Sequence, residues 1–457
     1  MSPNSYTNFE IQMRLELDGI GAELRSIDGY TVVNKIIPEG AADKEGSLKA
    51  EDRIIGVGQG ADGEIEDVVD MKLREVVDRI RGKAGTIVRL EVTDTDGLNR
   101  RIVNIQRDKI ELKDSEAQKA IFEHGTKPSG EPFKIGVINL PSFYLDMDGA
   151  RRGDPDFRST TRDVRKILEE FNKQGVDAVI LDLRRNGGGS LQEAINLTGL
   201  FIEGGPVVQV KGPDGYVQAY EDNDTSILWK GPLVVMTSTF SASASEILAG
   251  AIQDYGRGLI IGDRATHGKG TVQSLMDLGL QLFQGMRNPP PYGALKITMQ
   301  QFYRPSGAST QNRGVVADIE LPSLTTHYDV GESDLDYAVA FDQVKPADHK
   351  NYGQVNDAIR QQLRLLSGKR CEKSEDFRRT RRNIELYLEQ KDRKFITLNE
   401  EKFRAELEKI DADKEEQDAL EDVVDGNESG IKREMYLDEA IAIAVDYLNL
   451  VLVAQSR

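Results

Sequence analysis

The chain has 457 residues, a length that predicts about three domains at roughly 150 residues each. Its formal charge of −18 argues against non-specific nucleic-acid binding, which needs basic surfaces, and no apolar run reaches the roughly 20 residues of a membrane span. The single cysteine excludes an intramolecular disulfide, and no His/Cys cluster has metal-ligand spacing, so neither a metal nor another cofactor is expected.

A glycine loop opens the first predicted domain, residues 14–108, after an N-terminal segment of residues 1–13. The loop reads Gly19, Ile20, Gly21, Ala22, and apolar residues recur at helical spacing between Val69 and Ile80. These features resemble a PDZ domain, in which a peptide tail adds as a strand between loop and helix and its carboxylate binds the loop amides. Without the flanking resemblance, an ordinary glycine turn would be the preferred explanation.

Residues 109–330 alternate between strand and helix patterns. Apolar runs predict strands, and helical spacing predicts the connecting helices. The strands are expected at 135–140, 176–183, 232–236, 259–261 and 294–302, and the helices at 161–171 and 246–255. This alternation is typical of a layered α/β core.

A glycine run follows the strand predicted at 176–183. It includes Gly187, Gly188 and Gly189, at the point where the strand meets the next helix. Glycines at such a junction let backbone amides approach a ligand closely. The run lacks the Gly-Lys-Ser/Thr ending of a phosphate loop and the spacing of a dinucleotide fingerprint, so the pattern alone leaves its ligand open.

Ser243 lies in a strand-to-helix turn, 26 residues before Lys269. A serine hydroxyl needs a base to act as a nucleophile, and a lysine can be that base where burial lowers its pKa. Free N–H groups at a helix start favour negative charge, so the Ala244 amide is placed to help bind an oxyanion. The alternative is that Ser241, Ser243 and Ser245 only cap the helix and form the turn, and the turn alone favours capping.

Three segments together carry a family resemblance: 182–189, 240–247 and 268–273 have the order and approximate spacing found in the carboxy-terminal processing proteases, particularly the tail-specific members. The resemblance implies that Ser243 is the nucleophile, Lys269 the general base and Gln273 the residue that orients the lysine. It also implies an oxyanion hole formed by Ala244 with Gly188 or Gly189. The implied fold is a PDZ domain joined to a crotonase-like layered α/β serine protease core, with a C-terminal helical region.

Two features depart from the family pattern. The segment between Gly262 and Lys269 is one residue longer than usual, which leaves Ser245 or Ser241 as alternatives for the nucleophile. His267 stands where an aromatic residue is more familiar. It could assist or replace the lysine as base, but a solvated loop histidine is the simpler interpretation.

Residues 331–457 form the predicted C-terminal region, which is strongly charged. Charged helical patterns cover 376–391 and 399–408, and the acidic stretch 411–425 is expected to be solvated. Residues 436–453 predict an amphipathic helix that docks on another domain.

The expected function is therefore that of a serine endopeptidase that recognises substrate tails through its PDZ domain and cleaves through an acyl-enzyme. By resemblance, its substrates are proteins with apolar C-terminal tails, its role is envelope-protein processing and degradation, and a lipoprotein adaptor is a partner. Met1–Ser5 show no signal peptide, which taken literally predicts a cytoplasmic chain; the resemblance instead implies a truncated piece of a periplasmic protein.

Two other function classes remain open. A catalytically silent PDZ scaffold would be favoured by a missing serine, lysine or glycine loop, and none is missing. A crotonase-type acyl-transfer enzyme fits the α/β pattern but explains neither the PDZ-like segment nor Lys269.

Overall fold

The computed structural model describes residues 1–287, 289–394 and 431–455, together with positions 397, 399–401 and 404. The chain divides into two compact units, Glu10–Lys113 and Met1–Phe9 with Asp114–Arg457. Helix α1 (Pro3–Arg14) runs across that division. The domain boundaries inferred from the sequence, after residues 13, 108 and 330, stay predictions.

The smaller unit is built on a six-stranded antiparallel sheet. Its strands are β2 (Ala22–Ile27), β3 (Tyr30–Ile36), β4 (Arg53–Gln59), β5 (Ile65–Asp67), β6 (Ile87–Thr93) and β7 (Arg101–Gln106). They follow the order β2-β3-β4-β6-β7, with β5 paired to β4, so β2 is an edge strand. A separate pair joins β1 (Glu16–Gly19) to β8 (Asp108–Glu111).

Two helices complete the smaller unit, α2 (Ala41–Glu45) and α3 (Leu73–Ile80). The helix predicted from Val69 therefore begins later, at Leu73. Val76 and Ile80 pack from α3 into the core with residues of the sheet such as Val33 and Leu90. Because α3 also contacts β2, a helix runs beside the open edge of the sheet.

The larger unit is centred on a second six-stranded sheet. Its strands are β9 (Gln118–His124), β10 (Phe133–Asn139), β11 (Ala178–Asp182), β14 (Leu233–Thr237), β15 (Leu259–Gly262) and β18 (Ile319–Glu320). The order is β18-β15-β14-β11-β10-β9, parallel throughout except for the antiparallel pair of β9 and β10. The central strands β11, β14 and β15 are apolar and almost wholly buried, as expected for parallel strands covered on both faces.

Helices cover both faces of this sheet. Four of the helices of this unit precede the C-terminal region: α4 (Met147–Arg152), α5 (Thr160–Lys173), α6 (Leu191–Gly199) and α7 (Ala244–Asp254). Alternate residues of β10 divide between the faces: a Cβ at Gly136 would meet Phe171 of α5 at 2.5 Å, while Ile135 joins the opposite core cluster. The alternating strands and helices confirm the predicted layered α/β core.

The helices that pack on that opposite face come from the C-terminal region: α9 (Asp357–Lys373), α10 (Glu375–Lys391) and α11 (Met435–Gln455). The amphipathic helix predicted at 436–453 corresponds to α11, which packs against β11 and β14 as expected. The helix predicted at 376–391 corresponds to α10. Of the segments 399–408 and 411–425, only positions 399–401 and 404 lie among the described residues.

A four-stranded antiparallel sheet flanks this core, with the order β13-β12-β17-β16. The strands are β12 (Gly205–Lys211), β13 (Val217–Asp222), β16 (Thr271–Asp277) and β17 (Ala294–Tyr303), and α8 (Leu278–Leu282) follows β16. β16 is an edge strand and begins two residues after Lys269. Short 3₁₀ turns lie at Lys113–Ser115, Thr325–His327 and Glu332–Asp334.

Among the described residues, no helix combines the length and apolar character needed to cross a bilayer. Nor do the described His, Cys, Asp and Glu side chains form a group of three or more that could hold a metal ion.

Candidate active site

Ser243 lies in the sharp turn between β14 and α7. Its φ of 57° and ψ of −111° are rare for a residue with a side chain and lie outside the extended region of an ordinary helix N-cap. Its hydroxyl stands in the capping-box position relative to Glu246 but makes no capping hydrogen bond, whereas its backbone N–H donates to the Glu246 carboxylate. Strained backbone of this kind persists only where the surrounding structure holds it, and it concentrates at functional sites.

The hydroxyls of the two neighbouring serines, Ser241 and Ser245, are hydrogen-bonded. Both are buried, and each hydroxyl donates a hydrogen bond of 2.8 Å, from Ser241 to the Leu183 carbonyl and from Ser245 to the Asn186 carbonyl. Among the described residues, the Ser243 hydroxyl has no partner. Of the three serines in the turn, Ser243 is therefore the one whose oxygen is available.

Glu246, in the first turn of α7, is fully buried and joins the serine turn to the lysine loop. One carboxylate oxygen accepts the backbone N–H groups of Ser243 at 2.8 Å and Lys269 at 3.0 Å. The other accepts the Thr266 hydroxyl at 2.6 Å and the Gly268 N–H at 2.7 Å. Because one oxygen binds both, the Ser243 and Lys269 nitrogens lie within about 6 Å of each other.

Burial raises the pKa of Glu246 to about 7, and its four donors oppose that shift. Ser243 and Glu246 are three residues apart, which is the spacing of a capping box and is visible in the sequence. The links to Thr266, Gly268 and Lys269 were not predicted, because they depend on how a loop 20 or more residues away folds back.

Lys269 is half-buried, and its amine donates to the Gln273 side-chain oxygen at 3.1 Å. Burial lowers the pKa of the lysine, and the like charge of Lys296 lowers it further, against the opposing pull of Glu332 and Glu246. No hydrogen bond joins the amine to the Ser243 hydroxyl among the residues that the structure describes. Glu246 thus holds the backbones of the two residues near each other, while their side chains are not hydrogen-bonded to each other.

The glycine run lies against the serine turn. Gly188 has φ 103°, and a Cβ there would lie 2.9 Å from the Ser243 Cβ and 3.1 Å from the Ala244 nitrogen. Gly189 has φ 145° and lies instead against Phe143, whose carbonyl would be 2.3 Å from an added Cβ. Both positions require glycine, but only Gly188 is in direct proximity to the nucleophile candidate.

The N–H groups of these residues differ in availability. The Gly188 N–H donates to the Asn186 side-chain oxygen at 2.9 Å. In the described part of the chain, the N–H groups of Gly189 and Ala244 have no acceptor. Asn186, which sequence reasoning did not single out, also accepts the Ala242 N–H and the Ser245 hydroxyl on its carbonyl, so it joins the glycine run to the turn.

A cavity of about 650 Å³ opens beside the lysine and includes Lys269, Gln273 and His267 in its lining, but not Ser243. The His267 side chain is only 26% exposed, and its Nδ1 lies 3.9 Å from the Glu332 carboxylate. Burial lowers the pKa of His267. The interpretation of His267 as a solvated loop residue is therefore wrong, because the chain around Glu332 folds over it.

In the smaller unit, the loop Gly19, Ile20, Gly21, Ala22 connects β1 to β2. Its carbonyls are used: Ile20 accepts the Ala42 N–H at 2.7 Å and Gly21 accepts the Ile37 N–H at 2.9 Å. The N–H groups of Ile20 and Gly21 have no acceptor among the described residues. The loop therefore leaves two amides free at the start of an edge strand that α3 accompanies.

Comparison with known proteins agrees with this architecture. Residues 134–321 match peptidase family S41, residues 8–93 match the PDZ domain family, and residues 325–449 match the C-terminal domain of tail specific protease. The central part of the chain is thus similar to peptidase family S41, and carboxyl-terminal-processing proteases are among the relatives of the chain. The C-terminal match relates the chain to the tail-specific members, so the predicted resemblance and the fold class are both confirmed.

Two curated relatives and one solved structure illustrate the likeness. The tail-specific protease of Haemophilus influenzae is 39% identical over 98% of this chain and 63% of its own length. The carboxyl-terminal-processing protease of a Picosynechococcus species is 29% identical over 75% of this chain and 74% of its own. The solved PDZ domain of a Vibrio cholerae carboxy-terminal protease, in complex with peptide, is 40% identical over 21% of this chain and all of that chain, with a TM-score of 0.21. The chain thus spans less than two thirds of the Haemophilus relative.

Proposed function

We propose that this chain carries the tail-binding and cleaving parts of a serine endopeptidase that works with a Ser243–Lys269 dyad. The observation that carries the proposal is the state of three neighbouring groups. Ser243 has the one unpartnered hydroxyl in its turn, Lys269 has a pKa lowered by burial, and Glu246 binds the backbones of both. An available serine oxygen and a nearby lysine whose pKa is lowered are the groups that nucleophilic attack with a lysine base requires.

The reaction follows from these groups. Neutral Lys269 takes the proton of the Ser243 hydroxyl as its oxygen attacks the scissile carbonyl, and a tetrahedral oxyanion forms. When the C–N bond breaks, the lysine returns the proton to the leaving amine, and an acyl-enzyme remains on Ser243. Lys269 then deprotonates a water that hydrolyses the ester, and the serine recovers its proton. Gln273 holds the amine in place through its side-chain oxygen.

The oxyanion is stabilised by backbone amides. We assign one donor to Ala244, whose N–H is free at the start of α7. The second is assigned to Gly189 rather than Gly188, because the Gly188 N–H already donates to Asn186. Gly188 instead permits the close approach of the glycine run to Ser243.

The smaller unit is proposed to select substrates. A protein tail adds as a strand to the open edge of β2, beside α3, and its terminal carboxylate accepts the free N–H groups of Ile20 and Gly21. Apolar tail residues pack toward α3. The family resemblance further supports a role in the turnover of envelope proteins in the periplasm, and fractionation of cells that produce the protein would test that location.

Digestion of an unfolded protein with a free apolar tail tests the proposal. Ser243→Ala and Lys269→Arg should each abolish cleavage, because the first lacks the nucleophile and the second keeps its proton near neutral pH. Ser245→Ala should retain most activity and serves as the matched control. Full activity in Ser243→Ala would overturn the assignment, and no cleavage by the wild-type chain would favour a catalytically silent scaffold.

A further inference from the structure

The cavity beside Lys269 has two walls of different origin. One wall is the β16–β17 hairpin with the lysine loop, and it contributes Lys269, Thr271 and Gln273 from one strand region and Lys296 and Thr298 from the other. The second wall is a segment some 60 residues further along the chain, Leu335–Val339, which we call the strap. The cavity is therefore a cleft between a strand pair and a separate stretch of chain.

The strap is fixed at both ends close to the lysine loop. Just before it, the Glu332 N–H donates to the His267 carbonyl at 2.8 Å, and the Glu332 carboxylate accepts the Gln311 side chain at 3.2 Å. At its other end, the Val339 carbonyl accepts the Asn312 side chain at 2.9 Å. Because His267 lies two residues before Lys269, the strap and the candidate base are positioned by the same loop.

Three large side chains of the strap are mainly apolar although they face solvent. Leu335 is 57% exposed, Tyr337 96% and Val339 41%. Three apolar side chains within five residues, rimmed by polar groups and bordering a cavity, are typical of a binding surface. The lining also contains Lys269 and Lys296 opposite Glu332 and Asp336, so its charges are balanced and do not favour an anion.

We propose that the cleft between the strap and the β16–β17 hairpin binds apolar residues of the substrate chain next to the bond that is cut, and that Leu335 and Tyr337 help to set the cleavage-site preference. The occupant is a segment of the substrate chain, because the cavity contains Lys269 and Gln273 of the proposed catalytic group. The balanced charges of the lining and the apolar strap side chains favour a segment that is uncharged. This inference rests on the proposed function and adds to it a second binding region, distinct from the tail-binding loop of the smaller unit.

The test measures binding without turnover. Fluorescence anisotropy follows an apolar peptide of about ten residues, acetylated and amidated so that it has no carboxylate for the Gly19–Ala22 loop, bound to the Ser243→Ala chain. Adding Leu335→Ala and Tyr337→Ala should weaken binding roughly tenfold, in the range that lost apolar contacts give. Leu365→Ala is the matched control, since this leucine of α9 is 59% exposed and lies outside the cleft.

Turnover separates this inference from the dyad. In the active chain, the strap variant should raise KM roughly tenfold with kcat changed less than about twofold, and mass spectrometry should show altered cleavage sites in an unfolded protein. Equal affinities of the strap variant and the Leu365→Ala control, or no binding of the capped peptide at all, would overturn the cleft. Cleavage by the Ser243→Ala chain would overturn the assignment of the Ser243–Lys269 dyad. The binding measurement would still show whether the cleft binds the peptide.

Discussion

Two loops of this chain present backbone N–H groups that lack an acceptor among the described residues, but only one of them adjoins groups that can move a proton. In the loop of Ile20 and Gly21, neither residue has a side chain that can donate or accept a proton. The junction of Gly189 and Ala244 lies beside Ser243, which Glu246 links to Lys269. The same backbone device therefore suits binding of a finished carboxylate in the smaller unit and stabilisation of a transient oxyanion in the larger one.

The comparison also explains why the two loops use glycine differently. Gly21 has φ 75°, and an added Cβ would approach Gly40 and Ile110, which are structural neighbours. At Gly188 an added Cβ would approach Ser243 itself. A change in the first loop is thus expected to alter the proposed tail-binding surface, whereas a change in the second is expected to displace Ser243, the proposed nucleophile.

Replacing Gly188 or Gly21 by alanine should produce the largest difference in activity between the two loops. Gly188→Ala should lower kcat/KM by about 10²- to 10³-fold, because the new Cβ displaces Ser243 from the oxyanion donors and φ 103° is unfavourable for alanine. Gly21→Ala should leave the cleavage of an untailed substrate within about twofold of wild type. Steady-state kinetics of both variants, with a tailed and an untailed substrate, measure these losses. Equal losses in the two variants would mean that the loops do not divide binding from catalysis.

Glu246→Gln should lower kcat by roughly 10- to 100-fold, with a smaller effect on KM. An amide has one acceptor oxygen, so its NH₂ group would face two of the four donors that the carboxylate now accepts. Glu193→Gln is the matched control: Glu193 is also a buried carboxylate, but it binds Ser159 and Thr161 on α5 and its N-cap. Comparable melting temperatures with unequal kcat values would support positioning. Equal kcat losses would reduce Glu246 to a structural role.

A free C-terminus should strengthen peptide binding by about tenfold or more over the amidated form, because the amide lacks the charge that the Ile20 and Gly21 N–H groups meet. Calorimetric titration of Ser243→Ala with a peptide that ends in apolar residues measures this difference without turnover. Equal affinities of acid and amide would leave the smaller unit without a tail-reading role.

The smallest expected effect is a shift in pH dependence. In the proposed mechanism neutral Lys269 is the active form, so kcat/KM should rise with pH along a limb that reflects the lowered pKa of this lysine. Lys296→Met removes a neighbouring positive charge, which raises the pKa of Lys269, moves the limb to higher pH and lowers activity near pH 7 by roughly two- to fivefold. Lys173→Met, at the end of α5, should leave the profile in place. A shift toward lower pH would contradict the assignment of Lys269 as the base.

The parts of this fold that the sequence predicted are those that short segments determine. The strands β11, β14 and β15 and the helix α7 stand close to their predicted positions, because buried apolar runs and helical spacing are visible within ten residues. The contacts of Glu246 could not be predicted from the sequence, since its partners include residues that lie 20 or more positions away. The strap was hidden for the same reason: nothing within Leu335–Val339 shows that it faces the β16–β17 hairpin.

The choice between Gly188 and Gly189 also required the structure. Both residues are glycines with positive φ, so neither residue type nor the sign of φ distinguishes them. The difference lies in the direction of the Asn186 side chain, which accepts the N–H of one and leaves the other free. Such a difference depends on side-chain orientation, which sequence patterns do not encode.

The most direct test of the account is to identify the residue that a serine-directed fluorophosphonate labels, and the rate of that labelling. Peptide mapping by mass spectrometry should find the label on Ser243, and Lys269→Met should slow the labelling at least about 100-fold, because the hydroxyl loses its base. Ser245→Ala should be labelled at the wild-type rate. A label on Ser241 or Ser245, or labelling of Ser243 that is indifferent to Lys269, would contradict the Ser243–Lys269 dyad.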